Sequence, residues 1–79
     1  MKFNEVKDAF NAWTNEPKIE KTVFTLRNGE QVEMAGWLPV ETKDTGLQLI
    51  IETSAEDTEM LDFHGRYIWA DAIVSILFK

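Results

Sequence analysis

Residues 21–40 read KTVFTLRNGEQVEMAGWLPV, and this stretch decides the fold. An Asn-Gly pair, Asn28-Gly29, lies between two runs in which apolar and polar residues alternate. Both residues of such a pair tolerate the positive φ angles of a tight β-turn, so the pair is among the strongest short-range signals for a β-hairpin. We therefore predict a first strand over residues 19–27 and a second strand over residues 31–40.

The second predicted strand alternates with period two along its whole length. One face carries Val32, Met34, Gly36, Leu38 and Val40, and the other carries Gln31, Glu33, Ala35, Trp37 and Pro39. This pattern is typical of an antiparallel strand with one buried face, and we expect the first set to face the core. Gly36 predicts a bend or a bulge, as strongly curved strands require.

An amphipathic helix is predicted before the hairpin, over residues 4–14. One face of this helix carries an apolar stripe at helical spacing, formed by Val6, Ala9, Phe10 and Trp13. Asn4 is the expected N-cap, and Pro17 prevents the helix from continuing much beyond Thr14. We expect this stripe to pack on the sheet.

Three further extended segments follow the hairpin, over residues 47–53, 60–69 and 73–78. In the first of them Leu47, Leu49 and Ile51 are expected to face inward. Residues 69–72 suit a single 3₁₀ turn, because they are too few for an α-helix. The element order predicts one α+β domain over residues 1–79, an N-terminal helix followed by a strongly bent five-stranded antiparallel sheet.

The composition restricts the classes of function that suit the chain. Its 79 residues carry 14 acidic and 8 basic side chains, a formal net charge of −6, and no cysteine. Phosphate binding depends on clustered Lys and Arg, so nucleic-acid binding through the acidic sheet is disfavoured. Disulfides and thiolate metal sites are excluded. No apolar run is long enough to cross a bilayer and no signal peptide is recognised, so we expect a cytoplasmic protein without a cofactor.

Two stretches resemble the signature segments of the Sm-like barrels, a variant of the small SH3-like barrel. Residues 23–32 are similar to the first Sm hairpin, in which an Asn-Gly pair follows an apolar residue. Residues 68–76 resemble the second Sm segment, where a strand, a one-turn 3₁₀ helix and a closing strand follow each other. Here Ala72-Ile73 matches the Ala-Ile of the Hfq-like branch, with Trp69 at its Tyr position. The resemblance implies a small barrel whose last two strands pair between subunits and close a ring.

The positions with which the Sm-like family contacts RNA are different in this chain. Ala70-Asp71 replaces the Lys-His or Arg-Gly pair of the second segment, which removes donors and positive charge. Met34 occupies the position of the glycine of the first segment, and Gly36 follows two residues later. The resemblance therefore implies the barrel without its usual RNA activity. The YolD-like small barrels show a comparable spacing of strands along the chain. The sequence does not distinguish a YolD-like barrel from an Sm-like barrel.

No catalytic constellation is identified in the sequence, and we expect the protein not to be an enzyme. His64 is the only histidine, and no nucleophile is placed beside it. The surrounding acidic residues lack the spacing of a calcium loop, so no metal site is expected. We interpret them as an acidic surface that docks a basic partner: Glu52, Glu56, Asp57, Glu59 and Asp62.

Two tryptophans are aromatic candidates for a protein contact, since tryptophan is enriched in interface hot spots. Trp37 either forms part of an outer apolar patch or is covered by the helix, beside Phe10 and Trp13. Trp69 precedes the 3₁₀ turn, where packing in the core competes with a contact role.

We therefore expect a small acidic interaction module that self-associates through strand edges and binds a protein partner. Trp37, Trp69 and the acidic surface carry the contact in this interpretation. The alternative is an Sm-like RNA-binding regulator that uses the more basic N-terminal third of the chain, through Lys18, Lys21 and Arg27.

Overall fold

The computed structural model describes residues 1–16, 18, 20–53 and 66–79. In chain order the elements of these ranges are α1 (Phe3–Thr14), β1 (Thr22–Leu26), β2 (Gln31–Met34), β3 (Gly36–Glu41), β4 (Gln48–Thr53), β5 (Tyr67–Trp69), the 3₁₀ turn η1 (Ala70–Ala72) and β6 (Ile73–Phe78). The strands form two antiparallel sheets, the first sheet with the order β2-β1-β6 and the second sheet with the order β3-β4-β5. The prediction of an α+β fold is confirmed, and the described strands are divided between two sheets of three.

The N-terminal helix begins earlier than the sequence pattern predicts. Lys2, not Asn4, is the N-cap residue, and its backbone N–H donates to Glu5 Oε1 at 3.3 Å. The Glu5 carboxylate lies in the first turn, where negative charge also suits the helix dipole. The residues of the helix that are buried or packed against the core are Phe3, Val6, Ala9, Phe10 and Trp13. The predicted apolar stripe is therefore the face with which the helix covers the sheets.

The hairpin between β1 and β2 is confirmed. Thr25 is opposite Gln31 in the register of the two strands. Gly29 has a φ of +89°, in the left-handed region that glycine reaches without strain. The side-chain oxygen of Asn28 accepts a hydrogen bond from the Glu30 N–H at 2.9 Å. Both residues of the Asn-Gly pair thus stabilise the turn, each by its own mechanism.

The stretch predicted as one second strand is two strands that belong to different sheets. β2 ends at Met34 and β3 begins at Gly36, with Ala35 between them. Met34 and Trp37 are both buried, so the alternation of side chains changes phase at this break. The expectation that Leu38 faces the core is wrong for this reason, because Leu38 is exposed and its neighbour Trp37 points inward.

Gly36 permits the close approach of two backbones at the start of β3. It is opposite Thr53 of β4. A Cβ atom at residue 36 would lie 2.7 Å from Thr53 Oγ1 and 2.9 Å from the Thr53 carbonyl oxygen. Such an approach is one of the situations in which a strand requires glycine. The predicted bend lies one residue earlier, at Ala35, and no bulge occurs at Gly36 in the register of β3 and β4.

The core lies between the helix and the two sheets. Its buried members are Phe3, Val6, Phe24, Met34, Trp37, Ile50, Ile68, Ala70 and Ile73. In β4 the buried residue is Ile50, so the predicted inward face of Leu47, Leu49 and Ile51 is wrong. The reason is the register: Ile50 is opposite Pro39 and therefore shares the face of β3 that carries Trp37.

The C-terminal part of the described chain follows the prediction. The 3₁₀ turn covers Ala70–Ala72, and the last strand, Ile73–Phe78, pairs antiparallel with β1. Of the extended segment predicted over residues 60–69, the structure describes Tyr67–Trp69 as β5. Residues 60–65 lie outside the described residues.

Gly36→Ala is expected to destabilise the protein by about 1–3 kcal/mol, because the added methyl group overpacks against Thr53. Denaturant unfolding measures the change. Adding Thr53→Ala removes the contact with the hydroxyl oxygen but leaves the contact with the carbonyl oxygen, so the double variant should recover only part of the stability. A Gly36→Ala variant as stable as the parent would contradict the close approach of β3 and β4.

Candidate functional site

The second sheet carries two rows of apolar side chains on its outer face. Residues that are directly opposite each other in an antiparallel sheet project on the same face. By this rule the register of β3, β4 and β5 aligns Leu38, Ile51 and Tyr67 in one row, and Val40, Leu49 and Trp69 in the other. We call the surface formed by these six residues the apolar face.

Much of the apolar face is accessible to solvent. The exposed fraction is 64% for Tyr67, 45% for Trp69 and 41% for Leu38, and the other three residues are half-buried. None of the six side chains is charged. Exposed apolar residues that occur singly are common on protein surfaces, whereas contiguous apolar patches mark contact sites. The apolar face is therefore the best candidate for a functional surface among the described residues.

The apolar face exists because the strands of the second sheet are apolar on both sides. Trp37, Ile50 and Ile68 occupy the opposite side and are buried. The helix packs against β3 and η1, and the core cluster lies on this inner side. A sheet that packs one face on a core normally has polar residues on its other face. Here the outer face lacks that polar pattern, and the packing of residues 1–16, 18, 20–53 and 66–79 does not explain why.

Trp37 lies in the core and is 1% exposed. Its ring contacts those of Phe10, Trp13 and Phe24, with centroid distances of 5.3, 5.6 and 5.0 Å. Its indole N–H donates to Thr22 Oγ1 at 3.0 Å. The interpretation that the helix covers Trp37 is confirmed, and its assignment to an exposed contact surface is wrong. The physical reason is the phase change at Ala35, which turns Trp37 inward.

Trp37→Phe is expected to reduce the free energy of unfolding by about 1–3 kcal/mol, since the buried Thr22 hydroxyl loses its partner. Trp69→Phe is the matched control, because Trp69 is half-exposed and should tolerate the change within about 0.5 kcal/mol. Denaturant unfolding compares the two variants. If Trp69→Phe proved the more damaging, the assignment of Trp37 to the core and Trp69 to the surface would be wrong.

Trp69 and Glu52 are the other predicted contact residues that the structure describes. Trp69 belongs to the apolar face, whereas Glu52 projects from the opposite side of β4, because it is opposite Trp37 in the register. Glu52 is therefore separated from Trp69 by the thickness of the sheet. The predicted contact residues Glu56, Asp57, Glu59 and Asp62 lie outside the described residues, as does His64.

Arg66 connects the two sheets through polar contacts. Its Nη2 atom donates to Glu52 Oε2 at 2.9 Å, and its Nε atom donates to Glu52 Oε1 at 3.2 Å. The same Nη2 atom donates to the backbone carbonyl of Glu33, in β2, at 2.7 Å. The planar guanidinium is suited to such a forked arrangement. Arg66 thus joins β4 of the second sheet to β2 of the first.

Two carboxylates are held in their charged form by these cationic neighbours. Hydrogen bonding from Arg66 lowers the pKa of Glu52 below its ordinary value of 4.5, against an opposing effect of burial. Glu33 lies 3.2 Å from Lys79 Nζ and 3.8 Å from Lys21 Nζ. The hydrogen bond from Lys79, with the charges of both lysines, lowers the pKa of Glu33. These groups are engaged in structural ion pairs.

Glu52→Gln is expected to lower stability at neutral pH by up to about 1 kcal/mol, because the ion pair is partly exposed to solvent. Since the pKa of Glu52 is lower in the folded protein than in the unfolded chain, its contribution is present above the unfolded pKa and is lost as the pH falls through the folded pKa. The difference between variant and parent should therefore disappear once the pH lies below the folded pKa of Glu52. Thermal melts across pH measure it, with the exposed turn carboxylate of Glu30→Gln as control. A difference that persisted in acid would contradict the ionic origin.

The basic residues of the RNA-binding alternative do not converge on one surface. Lys21 precedes β1 and interacts with Glu33. Arg27 follows β1, and its Nε atom donates to the backbone carbonyl of Asp71 at 2.6 Å. An extended chain places these two residues roughly 20 Å apart, at opposite ends of the strand. Lys18 is exposed in the connection between α1 and β1. This separation weakens the case for a phosphate-binding patch.

Within residues 1–16, 18, 20–53 and 66–79, no group of three or more His, Cys, Asp or Glu side chains is arranged to hold a metal ion. None of the helices described there is long and apolar enough to span a bilayer.

Comparison with known proteins gives no relative from which a function is transferred. No protein-family model matches the chain, and neither a curated protein nor a solved structure matches it. We therefore infer a function from the geometry of the chain itself.

Sequence reasoning named Trp69 but did not identify the rest of the apolar face. Unbroken alternation through Ala35 predicts Leu38 and Val40 in the core, and the separate alternation of residues 47–53 predicts Leu49 and Ile51 there. One signal was available: residues 36–40 are apolar at every position, so either phase of that strand leaves apolar side chains on the outside. Tyr67 gave no such signal in isolation.

Proposed function

We propose that this protein is a small non-enzymatic interaction module that binds a protein partner through its apolar face. The single observation that supports this function is the apolar face itself, with Tyr67 and Trp69 as its most exposed aromatic members. Large aromatic side chains contribute much of the energy of protein interfaces and usually occupy their centre. Tyr67 and Trp69 are the anchors in this proposal, and the aliphatic residues of β3 and β4 complete the contact.

The exposed area of the two aromatic side chains is large enough to contribute usefully to binding. With side chains of 150–250 Å² each, exposed fractions of 64% and 45% correspond to roughly 160–270 Å² in total. Burial of this area is worth on the order of 5 kcal/mol before the entropic cost of association. The remaining stabilisation must come from the aliphatic residues and from polar contacts at the rim.

The chemistry of the partner follows from the charge of the chain. The net charge is −6, and the acidic residues Glu41, Asp44 and Asp71 are exposed close in sequence to the apolar face. A partner with an apolar patch surrounded by Lys and Arg is complementary to this arrangement. Electrostatic steering of such a partner weakens as salt screens the charges, so the association rate should fall with ionic strength.

We also propose that the two sheets belong to one small barrel. β2 and β3 are two halves of one sharply bent strand in a small Sm-like or SH3-like barrel, and the module self-associates through strand edges. Two observations support the bent strand: Ala35 alone separates the halves, and Gly36 allows close contact with Thr53. The RNA-binding alternative has no comparable observation in its favour, since Lys21 and Arg27 lie at opposite ends of β1.

Replacement of both aromatic anchors, Tyr67→Ser with Trp69→Ser, is expected to weaken partner binding at least about ten-fold, since two hot-spot side chains are removed. The partner is first identified as a protein that the tagged parent captures and the variant does not. Titration calorimetry with the purified partner then measures the affinity, at two salt concentrations.

Leu77→Ser is the matched control, because Leu77 is 58% exposed and lies on the first sheet. The double variant should melt close to the parent, which separates lost binding from lost folding. Equal affinity of the parent and the double variant would refute the apolar face as the binding surface. A purified nucleic acid that bound with Lys18, Lys21 and Arg27 as its determinants would favour the alternative function.

A further inference from the structure

The turn between β1 and β2 contains an electrophile and a nucleophile that are adjacent in the chain. In an Asn-Gly pair the backbone nitrogen of glycine can attack Cγ of the asparagine side chain, because glycine has no Cβ atom that crowds this nitrogen or restricts the backbone. The new N–C bond closes a succinimide ring, and the glycine N–H proton leaves with the carboxamide nitrogen as ammonia. Water then opens the ring at either carbonyl, and the product is aspartate or isoaspartate.

Asn28 is the asparagine of this chain that is followed by glycine. The other three asparagines, Asn4, Asn11 and Asn15, precede glutamate or alanine. Asn28 and Gly29 are exposed, so water and base reach both of them. Asn28 is therefore the asparagine with the highest intrinsic reactivity toward deamidation in this sequence.

The folded turn engages both reacting groups in hydrogen bonds. The Gly29 N–H donates to the Leu26 carbonyl oxygen at 2.9 Å, and this N–H must lose its proton before the nitrogen can attack. The Asn28 side-chain oxygen accepts a hydrogen bond from the Glu30 N–H at 2.9 Å, which fixes the orientation of the carboxamide. A donor on this oxygen polarises Cγ, but the attack still requires the bond between Gly29 and Leu26 to open.

We infer that Asn28 is a site of spontaneous deamidation that the folded hairpin protects, so that modification accumulates in chains whose turn has opened. The inference does not depend on the proposed function or on the apolar face. The Leu26 N–H also donates to the Glu30 carbonyl oxygen at 2.8 Å, so the turn is closed by hydrogen bonds in both directions. The rate of modification in the folded protein is then the rate of the unfolded chain multiplied by the fraction of molecules with an open turn.

The two products differ in their effect on the hairpin. Aspartate leaves the main chain unchanged and retains an oxygen that accepts from the Glu30 N–H. Isoaspartate inserts a methylene group into the main chain, which changes the spacing between Leu26 and Glu30 that the turn requires. In β1, Phe24 is fully buried and is opposite Val32 of β2. Isoaspartate therefore disturbs a strand of the core, whereas aspartate does not.

Peptide mapping by mass spectrometry measures deamidation at each asparagine. The protein is incubated at mildly alkaline pH, in buffer and in urea that unfolds it. In urea, Asn28 is expected to react at least about ten-fold faster than the other asparagines, because it alone precedes glycine. In buffer its rate should fall at least about ten-fold, which corresponds to a free energy of opening of at least about 1.4 kcal/mol.

Two outcomes of this experiment would overturn the inference. Equal rates at Asn28 in buffer and in urea would remove the protection by the turn. A rate in urea no greater than that of Asn15 would remove the site itself. Asn28→Ser is the matched control, because the serine hydroxyl still accepts from the Glu30 N–H but carries no carboxamide. Its turn peptide should keep its mass in urea, and the variant should melt close to the parent.

The stability of the products provides a second test. Asn28→Asp has the mass and charge of the aspartate product and is expected to melt close to the parent. The isoaspartate chain, separated by chromatography after modification in urea and then refolded, should melt clearly below Asn28→Asp although the two chains are isomers. An isoaspartate chain that melted together with Asn28→Asp would show that the turn tolerates the altered backbone, and would overturn the role of the hairpin in the inference.

Discussion

The buried indole of Trp37 is the contact on which the rest of the structure depends. It belongs to β3, yet its N–H donates to Thr22 of β1, in the other sheet. Its ring also packs edge-on against Phe24 and lies beside Phe10 of the helix. A small domain has few side chains that can join their own strand to two other elements, and aromatic rings supply the largest area for doing so. The position of Trp37 fixes which face of the second sheet is buried, and consequently which face is left in solvent.

The parts of the fold that local chemistry determines were predictable from the sequence. The Asn28-Gly29 turn, the helical stripe, the 3₁₀ turn at Ala70–Ala72 and the last strand depend on neighbouring residues. Their sequence patterns can be recognised without knowledge of the tertiary contacts. Asn4 is an exception, since Glu5 reaches the backbone of Lys2 and the helix starts before the residue with the best capping chemistry.

Which face of a strand is buried could not be predicted in the same way, because it depends on where the alternation of side chains changes phase. A strand interrupted by one residue looks continuous in a period-two pattern, and the interruption at Ala35 exchanges the two faces of β3. Trp37 and Leu38 are displaced from their predicted sides by this interruption, whereas Ile50 is placed in the core by the register of β4 on β3. The candidate site could not be predicted in full for a related reason. Trp69 was named for its residue type, whereas the surface to which it belongs is defined by cross-strand register, which the sequence does not display.

Pro39 has a consequence for how far assembly can proceed. A sheet that offers two receptive edges can add chains without limit, and this is the geometry from which fibres grow. In this protein Pro39 closes the edge of β3, and Arg66 occupies the carbonyl at the edge of β2. At β6 the Met1 amino group donates to the Ile73 carbonyl at 2.6 Å, and the register with β1 shifts between Thr25 and Leu26. Each of these edges is therefore an incomplete template for an added strand, which opposes open-ended polymerisation of a protein whose strands are rich in apolar residues.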